Sequence, residues 1–149
     1  MGEEPGWRGF ALPRMQLRYG PLWGTLLLGV LWGFWHLPHF LTQVQGGGPG
    51  TSFATFLTDF SVFFLWVMAL AIIFTWVFNH TRGSVFIAIL LHTSIDAPQT
   101  VWLPLFPAVD YASMILAGAI SFGVAALLIL ILTRGRLGSQ ETGKTGTPR

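Results

Sequence analysis

Four stretches of the chain are apolar over a length that matters for a bilayer. Residues 21–41 read PLWGTLLLGVLWGFWHLPHFL and carry no charge. A helix rises ~1.5 Å per residue, so ~20 residues cross a ~30 Å hydrocarbon core. Further apolar runs cover residues 60–78, 84–103 and 111–133. Between them lie a loop at 42–58 centred on Gly46-Gly47-Gly48-Pro49-Gly50, a tight Asn79-His80-Thr81-Arg82-Gly83 connection, and a short loop marked by Pro104 and Pro107. The pattern predicts an all-α polytopic transmembrane bundle of about four spanning helices plus an N-terminal helix. Residues 1–133 form one membrane domain. The Gly/Ser/Thr-rich residues 134–149 form a disordered tail.

Residues 3–18 read in two ways. Phe10, Leu12, Met15 and Leu17 alternate with Arg8, Arg14 and Arg18, as in a helix lying at the headgroups. Alternatively, they form one arm of a helical hairpin that turns near Tyr19-Gly20, just before Pro21. Positions whose numbers sum to about 39 then share a height, and Glu3 faces His36.

Composition sharpens the class. Of 149 residues, 52% are hydrophobic and only 9% charged; a soluble domain carries about a quarter charged residues. The chain therefore reads as an integral membrane protein. It has no cysteine, which excludes disulfides and thiolate metal sites. A net charge of +2 gives no case for nucleic acid. All eight Lys and Arg fall on the N-terminal part, the 79–83 connection and the tail, and none on the other two loops. The positive-inside rule then puts the C-terminus in the cytoplasm.

Against this background the polar residues at membrane depth stand out, because each is expensive unless paired or wet. His36 lies deep in the first run. His92 and Asp96 share one face of the third, four residues apart. Pro38 and Pro98 each follow such a residue by two positions and remove the donor for the carbonyl four residues back, on Phe34 and Ser94. Loosened backbone at depth suits a wet cavity. The hairpin reading brings Glu3 and Glu4 to the same layer, with Arg8 paired to Glu4 at i, i+4. A plainer alternative for each histidine is a hydrogen bond to a neighbouring helix. His39 and His80 read as interfacial, Asp59 and Asp110 as solvated segment ends, and Trp23, Trp66, Trp76 and Trp102 as packing or belt residues. Gly118, Ala119, Gly123 and Ala125 suit close helix packing.

Three motifs appear in order: Glu3-Glu4-x-x-x-Arg8, Trp32-x-x-x-His36 and His92-x-x-x-Asp96. Together they resemble those of the CPBP (ABI) family of intramembrane proteases, the type II CAAX prenyl endopeptidases. Trp32 stands where Phe is commoner in that family, and Asp96 where Asn is commoner. The resemblance implies an intramembrane endopeptidase of a bacterial or archaeal cell membrane. It would hydrolyse a peptide or membrane-anchored protein substrate at the bilayer. Glu3 would activate water with help from His36, His92 and Asp96 would stabilise the oxyanion or hold the site, and Glu4 and Arg8 would support them. The family has been described as metal-free and as a metalloprotease; a zinc ion would fall to Glu3, His36 and His92. Helices precede the first motif in the family, so the chain is expected to be incomplete at its N-terminus. Two other functions compete: a non-catalytic bacteriocin self-immunity or scaffold protein, and an ion or proton pathway.

Overall fold

A computed structural model describes residues 2–42, 50–97, 101, 105 and 110–138. The loop centre at Gly46–Pro49, Pro98, Gln99, Trp102, Pro104, Pro107 and the tail beyond Gly138 fall outside that set. Among the described residues the structure is all helical.

A π-helical segment, Pro5–Ala11, opens the chain and runs straight into α1, Leu12–Trp35. α1 is two arms. Gly20 adopts φ 79° and ψ 170°, outside helical space, and Pro21 restarts the second arm. Glycine tolerates this positive φ, and proline suits a helix start. The arms fold so closely that a Cβ on Gly24 would sit 2.7 Å from the Met15 backbone. The hairpin reading of residues 3–36 therefore holds, and the surface-helix alternative does not: Glu4, Arg8 and Leu12 are all 0% exposed.

α1 stops at Trp35, six residues before the expected end of the first span. One further turn, α2 (Leu37–Phe40), follows. Pro38 explains the stop, since it cannot donate to the Phe34 carbonyl. α3, Phe53–His80, begins seven residues before the expected start of the second span at 60. The reason is a cap: Ser52 accepts from the Thr55 N–H at 3.1 Å. Asp59 thus lies inside α3 and is not a segment end.

Arg82 and Gly83, both at positive φ, make the turn into α4, Val85–Ala97. Thirteen residues of helix are described where a full span over 84–103 was expected. α5, Tyr111–Thr133, matches its expected bounds. Asp110 caps it by accepting from the Ser113 N–H at 2.8 Å. It ends at Arg134 and Gly135 in the left-handed region, where Gly135 N–H reaches Leu130 O at 3.0 Å, a Schellman closure.

α3 is the central helix. α5, α1 and α4 all pack on it. Trp32, Phe63, Trp66, Leu70 and Phe74 form the main buried cluster. Small residues let the backbones close: a Cβ on Gly29 would come within 2.8 Å of Met68 Sδ, and one on Gly33 within 2.6 Å of Phe64. Gly118 plays that part between α5 and α3, whereas Gly123 faces open space. Thr25 and Thr75 hydroxyls join α1 to α3 at 3.2 Å in the core. α3 and α5 are each long and apolar enough to cross a membrane. α5 turns Leu116, Ile120, Val124, Leu127 and Ile131 outward, a surface suited to lipid. The first residues of the expected tail are ordered: 134–138 turn back and bury Leu137, whose carbonyl accepts from Asn79 Nδ2 at 2.8 Å.

Candidate active site

The hairpin and α4 bring the three motifs together. Glu4 is the N-cap of the π-helical segment, and the wide turns that follow carry Arg8 round to it. Arg8 Nη1 donates to Glu4 Oε1 at 2.9 Å, and both side chains are 0% exposed. The same Glu4 oxygen accepts from His92 Nδ1 at 2.7 Å. The pairing of Glu4 with Arg8 was legible in the i, i+4 spacing. The bond from Glu4 to His92 was not, because it joins positions 88 apart.

Arg8 is also held by aromatic faces. Its guanidinium carbon lies 4.1 Å from the Trp32 ring centroid and 4.4 Å from that of Phe74. A planar cation over a ring is attracted by the ring quadrupole, most strongly where water is excluded. Arg8 Nε and Nη2 and Glu4 Oε2 find no hydrogen-bond partner among the described residues.

Glu3 takes a different set of donors. Its carboxylate accepts from Trp32 Nε1 at 3.0 Å and from Trp35 Nε1 at 3.2 Å. Both imidazoles, His36 and His92, lie within electrostatic reach of its charge. Glu3 was expected level with His36, and it meets the helical turn that ends in His36.

Among the described residues His36 makes no hydrogen bond to Glu3, which the hairpin set opposite it, nor to His92 or Asp96. Its Nδ1 lies 2.8 Å from the Trp32 carbonyl. His36 N–H turns to Gly33 O at 3.2 Å, one residue short of its regular partner, which leaves the Trp32 carbonyl to the side chain. A carbonyl only accepts, so Nδ1 carries a proton, and in the neutral imidazole Nε2 is the acceptor. His92 has the same tautomer logic: Nδ1–H donates to Glu4, and Nε2 lies 3.6 Å from Asp96 Oδ2. In the charged imidazole Nε2 is also a donor.

A cavity of about 90 Å³ is lined by His36, His92 and Asp96 together with Trp32, Phe63 and Trp66 among others. That space holds a few waters, at ~30 Å³ each. Glu3 is not among its lining residues and meets the wall through Trp32. Trp32 is the residue that sequence reasoning undervalued. Its N–H holds Glu3, its face holds Arg8, and its ring lies 6.0 Å from His36 and 5.7 Å from His92, edge-on to each. The signal was there: it is the aromatic position of the second motif.

His39 and His80 take no part, as expected; both are exposed, and His80 Nδ1 bonds the Trp76 carbonyl at 2.8 Å. Among the described residues no three of His, Asp and Glu gather closely enough to hold a metal ion. Glu3, His36 and His92, the set to which a zinc ion would fall, are not gathered in that way in this arrangement.

The comparisons with known proteins point the same way. Residues 1–98 match the family model described as Type II CAAX prenyl endopeptidase Rce1-like. The chain is 32% identical over 128 residues to a protein named CAAX prenyl protease 2 from Methanococcus maripaludis, an alignment covering 86% of this chain and 45% of that relative. The chain thus spans less than half the length of that relative. No solved structure matches it. On the extent of the family match, the chain belongs to the family described as Type II CAAX prenyl endopeptidase Rce1-like.

Proposed function

We propose that the chain carries the catalytic core of an intramembrane endopeptidase that hydrolyses a peptide bond of a membrane-associated, CAAX-type substrate. The observation that carries this reading is that His36 and His92 line one cavity, with Glu3 bonded to the Trp32 indole in its wall. Peptide hydrolysis needs a base for water and donors for the developing oxyanion.

Glu3 takes a proton from the attacking water, and His36 Nε2 holds the same water by accepting its other hydrogen. The hydroxide adds to the scissile carbonyl. His92 Nε2–H donates to the resulting oxyanion, with Glu4 on its far nitrogen to keep the imidazole charged and oriented. Asp96, ionised, would repel that oxyanion, so its work is to sustain the charge on His92. Glu3 then passes its proton to the leaving amine as the carbon–nitrogen bond breaks. Arg8 balances Glu4 and keeps it from collapsing onto the cavity. The N-terminal part, the 79–83 turn and the C-terminus face the cytoplasm.

Cleavage of a farnesylated CAAX-type peptide by the protein in lipid nanodiscs tests this. Glu3→Gln and His36→Ala are expected to abolish cleavage while the melting temperature holds. Retained cleavage in both variants would overturn the peptidase reading. No observation favours the self-immunity, scaffold or ion-pathway readings.

A further inference from the structure

Three turns of the chain meet at one end of the bundle, and each carries arginine. Arg18 precedes the hairpin break at Gly20, Arg82 lies in the turn from α3 to α4, and Arg134 and Arg136 lie in the return that follows α5. The return is what draws them together. Leu137 is 0% exposed, and its carbonyl accepts from Asn79 Nδ2 at 2.8 Å. A Cβ on Gly138 would run into the His80 ring, and one on Gly135 would sit 3.3 Å from Leu22. Residues 134–138 therefore touch both the end of α3 and the start of the second arm of α1, where the other two turns lie.

All four arginines are exposed, and among the described residues no carboxylate pairs with any of them. The acidic side chains are engaged elsewhere. Glu3 bonds Trp32, Glu4 bonds Arg8 and His92, and Asp96 lies beside His92. Asp59 and Asp110 line a cavity near the N-terminal ends of α3 and α5, away from the arginines. Folding thus gathers four like charges and supplies no counter-charge.

The setting says what does. α3 and α5, the two helices long and apolar enough to span, both end at this patch. Its flank is greasy: Leu17 and Tyr19 are exposed, and the Arg18 guanidinium carbon lies 5.4 Å from the Tyr19 ring centroid. Cations beside exposed apolar and aromatic side chains, at the end of a span, match the headgroup level of a bilayer. Arginine takes phosphate oxygens through parallel N–H bonds and keeps its charge there. A soluble acidic partner would satisfy the arginines and leave Leu17 and Tyr19 in water.

We propose that the docked return completes a binding surface for an anionic phospholipid, in which Arg134 and Arg136 join Arg18 and Arg82 around the headgroup phosphate while Leu17 and Tyr19 meet the acyl chains. This surface does not depend on the peptidase reading.

Native mass spectrometry of the full chain released from nanodiscs of mixed phosphatidylglycerol and phosphatidylcholine tests it, by the ratio of the two lipids retained. Wild type is expected to retain phosphatidylglycerol in preference. Arg134→Gln and Arg136→Gln are each expected to lower that preference about fivefold, the usual worth of one basic residue at an anionic surface. Arg14→Gln is the control for net charge. Arg14 Nη1 donates to the Phe10 carbonyl at 3.0 Å, and its guanidinium carbon lies 3.7 Å from the Phe10 ring centroid. Phe10 is ~12 Å of helix rise before Arg18, more than a Debye length of ~10 Å, so this variant should stay within about twofold of wild type. Leu137→Ala keeps every arginine and releases the return; it is expected to lose at least as much preference as Arg134→Gln. Because that variant also loses stability, Asn79→Leu, which removes only the bond to the Leu137 carbonyl, is the milder check and should move the ratio the same way. No preference in wild type, equal losses from Arg14→Gln and Arg134→Gln, or a preference untouched in both Leu137→Ala and Asn79→Leu would overturn the proposal. Displacement of the retained lipid by inorganic phosphate would also overturn it, and would assign the arginines to a free anion.

Discussion

Arg8→Met removes a cation whose side chain is 0% exposed and which is held by one carboxylate and two ring faces. Methionine restores much of the volume and none of the charge. Removing one partner of a buried ion pair costs about 3–5 kcal/mol, because the other charge stays behind without compensation. The cation–ring contacts at 4.1 and 4.4 Å add to the loss, and the apolar replacement returns part of it, giving a net cost of about 4 kcal/mol. For a chain of this size each kcal/mol moves the midpoint by ~2–4 °C, so thermal unfolding in nanodiscs should fall by roughly 8–16 °C. Glu4→Gln/Arg8→Met removes both charges, and Gln can still accept from His92. That double variant is expected to recover about half of the loss, so the coupling is about 2 kcal/mol plus the cost of Glu4→Gln alone. Were the pair solvated, each single change would cost ~0.2–1 kcal/mol. Single losses below 1 kcal/mol, or a double variant that loses the sum of its singles, would refute the reasoning that this pair is dry and interdependent.

Gly24→Ala should force the two arms of α1 apart, since its Cβ meets the Met15 backbone at 2.7 Å; a loss of about 1–3 kcal/mol in thermal unfolding is expected, with cleavage falling because Glu3 loses its place beside Trp32. Leu137→Ala empties a site that is 0% exposed and should cost about 2–4 kcal/mol by the same assay, whereas an unchanged midpoint would mean that residues 134–138 do not dock. At Asp110 the Ser113 backbone N–H, then the Ser113 hydroxyl, hold the carboxyl below the usual aspartate value of 3.8. A depressed value in the folded state makes the cap a stabiliser above 3.8 and a lost one as pH falls through its lowered value. The difference in melting temperature between wild type and Asp110→Asn should therefore be present at neutral pH and close in acid; a difference that persists unchanged at low pH would contradict the cap.

Much of this was legible because it is periodic or local. The apolar run at 111–133 reproduced α5, and the i, i+4 spacings of Glu4 with Arg8 and His92 with Asp96 gave contacts at 2.9 and 3.6 Å. The hairpin was legible from Gly20-Pro21, a pair that a straight helix does not accommodate. What failed to show were contacts decided by packing between distant segments. The bond from Glu4 to His92 depends on how α4 lies against the first turns, which no spacing encodes. The early start of α3 came from one side-chain cap at Ser52, a signal overridden by the glycine-rich stretch before it.

The premature end of α1 has a chemical consequence. The backbone N–H of His36 turns to Gly33, so the ring holds the Trp32 oxygen without sharing it. Inside α3 the His80 ring makes the same bond to the Trp76 oxygen. At position 36 that bond keeps one hydrogen on Nδ1, so any acceptor work by this imidazole falls to Nε2.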